Sequence, residues 1–352
     1  LNAPISVNQF RSIAGISAGP FGPEFVNGEF SVRLTANVNK DGVGDLAVDV
    51  DFLDTDVSVP MLGWRKSAKV ETTAKFIAKF DGDGVNRISS FELTGGGIEL
   101  FGNATFIGNS VHTINISKLL LGGSDVSGSL TKTEDGWSVT VNGSSLDISA
   151  FLDEEDHPNT QAEPGPKLFV LMNIGRVKIS EGKHLFNVSG KMENNGVVWT
   201  RLETLASVHG GKLLAINLSP AGRTRKLSIG SDDAGAVLKS LGYYENIIGG
   251  KLAVKAEYED MTPKSVITGH ALIEDFRLVD APLLARLLSV ASITGIPGEL
   301  AGAGLAFQQF EVPFKKEDGL ISVKGAKAGG FSLGITANGT IDTDLEILDI
   351  KG

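Results

Sequence analysis

Cysteine is absent from this chain of 352 residues. That removes disulfides, thiolate nucleophiles and cysteine-ligated zinc or iron–sulfur centres, and it leaves the redox compartment open. Positive charge is not in excess either, the formal net charge being -10. Phosphate backbones are gripped by a basic stripe, so nucleic acid is not an expected partner. No apolar run reaches the roughly eighteen residues of a membrane-spanning helix, and no basic-then-apolar start marks a signal peptide. The chain begins at Leu1 and stops at Gly352 directly after a strand-like Leu345 to Ile350, so it reads as an excerpt with any targeting segment outside it. Tyrosine and tryptophan number only three each.

Glycine, by contrast, occurs 44 times, which suits many tight turns because glycine supplies the positive φ that primed hairpin turns require. Between the turns the pattern has period two. From Ser67 to Phe80, Ala68, Val70, Thr72, Ala74, Phe76, Ala78 and Phe80 fall on one side, and Lys69, Glu71, Thr73, Lys75 and Lys79 on the other. This predicts one strand on the order of 40 Å long, at roughly 3.3 Å per residue, which must bend around something. Phe30, Val32, Leu34, Ala36 and Val38 alternate likewise, then Leu46, Val48, Val50 and Phe52, with Asn39-Lys40-Asp41-Gly42 as a hairpin turn between them. Alternation returns at Trp137, Val139 and Val141, at Phe186, Val188 and Met192, at Leu252, Val254, Ala256 and Tyr258, and at Phe331, Leu333, Ile335 and Ala337. The expected fold is mainly β: a long antiparallel meander curled into an elongated open groove, with two short helices in the second half.

Residues 153–166, DEEDHPNTQAEPGP, are acidic, proline-bearing and without apolar period, hence a solvated linker. They separate an all-β segment, 1–152, from a mixed segment, 167–352. The first helix is predicted near 232–243: Ser231-Asp232-Asp233 supplies N-cap chemistry, Ala236, Val237, Leu238 and Leu241 follow, and Gly249-Gly250 closes the segment. The second is predicted near 281–293, with Pro282 in its first turn, an apolar stripe of Leu283, Leu284, Leu287, Leu288 and Ala291, and Gly295 and Pro297 ending it. That stripe reads as a plug for one end of the sheet.

Motifs for chemistry are missing. His112, His157, His184, His209 and His270 show no metal-ligand spacing. Asp81-Gly82-Asp83-Gly84-Val85-Asn86, running to Glu92, has acids at the first, third and twelfth positions of a calcium loop, but Val85 and Asn86 break it, and a hairpin turn explains the segment. Gly95-Gly96-Gly97 and Gly302-Ala303-Gly304 lack the spacing of phosphate cradles. Asp49, Asp51, Asp54 and Asp56 read as a solvated sheet face, with no carboxylate pair marked out for glycoside hydrolysis. A non-enzymatic protein is expected, with no cofactor and no metal.

Two stretches carry a family signal. Ser231-Asp232-Asp233-Ala234-Gly235-Ala236-Val237-Leu238-Lys239-Ser240-Leu241-Gly242, followed by Gly249-Gly250-Lys251-Leu252, resembles a segment of the bacterial AsmA-like superfamily. Phe276 through Ser289, continuing by Gly295 and Gly302 to Phe307, is similar to the AsmA-like C-terminal region, particularly of YhdP-type members. The resemblance covers roughly a third of the chain. It implies the periplasmic portion of an inner-membrane-anchored envelope protein, related to TamB and to bridge-like lipid transfer proteins. There a β-groove shields phospholipid acyl chains between inner and outer membranes. The residues expected to line the groove are Phe30, Val32, Leu34, Val48, Val50, Phe52, Val70, Ala74, Phe76, Phe80, Val139, Val141, Val188, Leu252, Val254, Leu333 and Ile335. A closed β module of the cell envelope, acting through protein contacts, would show the same alternation.

Overall fold

Period-two patterning becomes strand through most of the chain. The computed structural model describes residues 2–6, 25–59, 63–81, 84–108, 110–150, 152, 164–280, 304–330, 334–342, 345 and 347–351. They divide into two units, Leu1–Glu154 and Glu155–Gly352.

The first unit contains β1 (Asn2–Ser6), β2 (Val26–Val38), β3 (Gly44–Asp51), β4 (Thr55–Val59), β5 (Trp64–Lys66), β6 (Thr72–Asp81), β7 (Gly84–Gly95), β8 (Ile98–Ile107), β9 (Ser110–Leu121), β10 (Ser124–Lys132) and β11 (Gly136–Asp147). All described pairings are antiparallel, and the meander runs β1–β2–β3–β6 and then in chain order to β11. The turn after β2 is built as its sequence implies: Asn39 Oδ1 accepts from the N–H groups of Asp41 (2.9 Å) and Val43 (3.0 Å), and Gly42 takes φ 77°. Among the described strands of this unit only β4 and β5 leave the meander. β4 pairs with Val26–Gly28 at the start of β2, and β5 pairs with β4, making a short ribbon.

In-register pairing lines the alternating side chains into rows that cross the strands. Val32, Val50, Ala74, Leu93, Leu100 and Leu119 form one, and Leu34, Val48, Phe76 and Phe91 open the next, which continues through Gly102 and Ile116. A Cβ at Gly102 would collide with the Asn115 carbonyl oxygen on the neighbouring strand and with the Phe91 ring.

The second unit contains β12 (Lys167–Ser180), β13 (Lys183–Asn194), β14 (Trp199–Ser207), β15 (Leu213–Ala221), β16 (Thr224–Ser231), β17 (Ile247–Tyr258), β18 (Ile267–Leu278), β19 (Leu305–Glu317), β20 (Leu320–Gly330), β21 (Gly334–Asp342) and β22 (Ile347–Lys351). Each pairs antiparallel with the next. The register slips in the β12–β13, β13–β14, β19–β20 and β20–β21 pairs, and such bulges bend and twist a sheet. Helix α1 (Ala234–Ser240) lies between β16 and β17.

Two expectations change. The strand expected over Ser67–Phe80 begins only at Thr72. Ser67–Val70 is a turn: Lys69 adopts φ 69°, its N–H donates to the Leu53 carbonyl at 2.6 Å, and the Val70 N–H donates to the Ser67 carbonyl at 3.3 Å. The chain has to reverse there to bring β6 beside β3 after the ribbon, so Ala68 and Val70 alternate in sequence without being strand. The first helix is shorter than the 232–243 expected, because Gly242 takes φ 70° after the Leu241 cap and β17 already begins at Ile247. The helix expected over 281–293 lies outside the described residues, as does most of the 153–166 segment.

Candidate functional site: an apolar hollow in the second unit

The inward rows of the second unit are made almost wholly of carbon. Leu252 pairs with Ile273, Ile273 with Phe310, Phe310 with Ala328 and Ala328 with Ile335. A parallel row runs Ile216, Ile229, Val254, Ala271 and Val312. Together they line a hollow of ≈ 940 Å³. Its polar lining side chains are Tyr243, Tyr244 and Asn246, all from the segment that follows α1.

α1 bounds the hollow because of specific residues. Asp233 caps it, Oδ1 accepting from the Ala236 N–H at 2.9 Å. Gly235 lets the helix lie against β17, since a Cβ there would collide with the Ile247 carbonyl oxygen. Val237, Leu238 and Leu241 then face the hollow. Beneath the helix Ala234 is fully buried with Ile273, Phe276, Leu305 and Phe307, and the Phe276 and Phe307 rings stack at 5.3 Å with 10° between planes. Burial pushes the Tyr244 phenol pKa up.

On the same face, at the other end of β16, sits a buried cation. Arg225 is 4% exposed and donates to the carbonyls of Trp199 (3.0 Å), Asp260 (3.2 Å) and Thr262 (3.3 Å), with its guanidinium 4.2 Å from the centre of the Tyr258 ring. Burial lowers its pKa, opposed by Tyr258 and Asp260. Three of its N–H groups go to backbone carbonyls, so it fastens the turn after β17 to the start of β14.

The first unit treats its apolar face differently. The ribbon lies over it: Val57 packs against both the Val26–Phe30–Val32–Val48 cluster and the Trp64–Ile98–Leu121 cluster, and Trp64 Nε1 donates to the Gly96 carbonyl at 2.9 Å. Lys66 Nζ ties the ribbon down by donating to the carbonyls of Thr55 (2.7 Å) and Phe52. A smaller hollow of ≈ 450 Å³ remains beyond the ribbon, lined by residues of β9–β11 such as Ile116, Leu130, Val139 and Val141.

The residues named from sequence therefore have several fates. Leu252, Val254 and Ile335 line the large hollow, and Val139 and Val141 the small one. Phe30, Val32 and Val48 are buried in a core packed against Val50, Phe52 and Phe76. Ala74 stands between Val50 and Leu93, and Phe80 opposite Gly44, on that same face. Val188 is packed against Ile174 and is 2% exposed. Leu34 is 38% exposed, and Val70, which lies in a turn and not in a strand, is 43% exposed. Leu333 lies outside the described residues. Sequence reasoning missed Leu214, Ile216, Ile229, Ile273 and Phe310, although 214–218 and 227–229 alternate as plainly as the rest, and it missed the part of α1 in the lining.

Among the described residues no group of three or more histidine and carboxylate side chains is placed to hold a metal ion. His270 and Glu311 meet at 2.6 Å on the face opposite the hollow. No described helix is long and apolar enough to cross a membrane. The chain matches no family model, no curated protein and no solved structure.

Proposed function

We propose that this protein is a non-enzymatic lipid-shielding module, which holds phospholipid acyl chains against the inward face of its second unit. The observation that carries the reading is the ≈ 940 Å³ hollow with its carbon lining. A volume of that size lies at the upper end of small-ligand sites, and a lining without convergent polar groups suits an occupant that is itself hydrocarbon. Apolar surface left to water is unfavourable by about 25 cal/mol per Å², so an acyl chain in the hollow relieves both partners. Such transfer needs a shielded surface and no reaction. The resemblance to the AsmA-like superfamily supports the finer form of the reading: an open groove, in the periplasm, passing phospholipid between inner and outer membranes.

A second reading, a closed structural module acting through protein contacts, is favoured for the first unit by the ribbon that covers part of its apolar face. One experiment separates them. A photoreactive residue at Ile335 should capture phospholipid from vesicles and one at Thr336, the next residue along β21, should not. Equal capture at both positions, or none at Ile335 in a folded sample, transfers the conclusion to the structural module.

A further inference from the structure

The polar lining of the hollow is not scattered. Tyr243, Tyr244 and Asn246 come from one stretch between α1 and β17, while Phe310, Ala328 and Ile335 line the hollow from β19–β21. An amphiphile cannot lie either way round in such a space, because a polar group pushed among the phenylalanines would lose its hydrogen bonds to water with none to replace them. Tyrosines with an apolar ring and a wet hydroxyl suit the level at which hydrocarbon gives way to a polar end. Tyr243 is 76% exposed and Tyr244 40%, so this segment opens to solvent.

A positive charge stands beside that stretch, outside the lining, while the stretch itself carries the exposed carboxylate of Glu245. The Lys183 side chain, from the start of β13, runs past Gly242, where a Cβ would lie 3.1 Å from its Nζ. The ammonium thus sits beside the residue that precedes Tyr243. Asn246 is held in position by its own hydrogen bond, Nδ2 donating to the Asp280 carbonyl at 2.6 Å.

We propose that Lys183, Tyr243 and Tyr244 form the head end of the hollow and take the phosphate of a lipid whose chains run toward Phe310, Ala328 and Ile335. The inference rests on the lipid-shielding reading and gives it a direction and a head-group class: phosphate-bearing lipids are held better than neutral diacylglycerol. An ammonium–phosphate contact is the stronger kind of hydrogen bond, which diacylglycerol cannot make.

The test uses the full chain incubated with vesicles containing phosphatidylglycerol and diacylglycerol, with retained lipid counted by native mass spectrometry and chain position read from the Ile335 photo-crosslink. Lys183→Gln should lower retained phosphatidylglycerol about tenfold, the loss of one charge-assisted hydrogen bond, and leave diacylglycerol unchanged. Lys183→Arg should restore the difference. Equal phosphatidylglycerol retention by wild type and Lys183→Gln, or parallel loss of both lipids, overturns the head-end assignment. Absence of any crosslink at Ile335 with either lipid overturns the lipid reading itself.

Discussion

The Lys66 ammonium is 1% exposed and is held by two backbone carbonyls. Burial lowers its pKa, with Asp56, Asp51 and Asp54 pulling the other way. The folded state therefore releases this proton at lower pH than the unfolded chain does. Between the lowered value and the ordinary lysine value the unfolded chain binds more protons, so stability rises with pH across that window. Urea midpoints followed through the alkaline range should rise more for wild type than for Lys66→Met, and parallel curves would show that the site does not feel its burial. Gly235 makes the opposite kind of demand, one of space. Gly235→Val should cost about 1–3 kcal/mol, as overpacking does, and an unchanged urea midpoint would mean that α1 does not press on β17.

Elements follow from sequence to the degree that their causes are local. Alternation is local, so the parity of Val32, Val50, Ala74, Val254 and Ile335 was legible and the rows could be anticipated. The αL turn at Lys69 was not, because lysine carries no signal for φ 69° and its neighbours Ala68 and Val70 keep the strand rhythm by coincidence. The ribbon was equally hidden: β4 and β5 span five and three residues, too short to show a period, and their place over the Phe30 face is settled by pairing with β2 at long range. For α1 the cap was legible, and Asp233→Ala should lower stability by about 1 kcal/mol, read from thermal or urea unfolding of the second unit. A loss near zero would assign the helix end to its tertiary contacts. The part α1 plays in the lining was not legible, since Val237 and Leu238 would look the same packed against any surface.

At the scale of the molecule, the two units ask for different responses to one substitution. Val32→Arg puts a charge into a core already covered by the ribbon and should unfold the first unit at several kcal/mol. Val254→Arg faces the hollow, where a long side chain can reach for its open side, and should abolish lipid retention while leaving the circular dichroism unchanged. Similar unfolding by both would mean that the second unit is as solidly filled as the first. Sheet order carries a further consequence, for how the chain reaches this state. In the second unit every described strand pairs with the next in sequence, so assembly can proceed by zipping, one short closure at a time. In the first unit β3 must wait for β6, on the far side of the ribbon, before the meander can continue. Pulse-labelled hydrogen exchange during refolding should find amides of β15–β18 protected before those of β3 and β6, which makes the ribbon the slow step in the birth of the protein as well as the cover of its core.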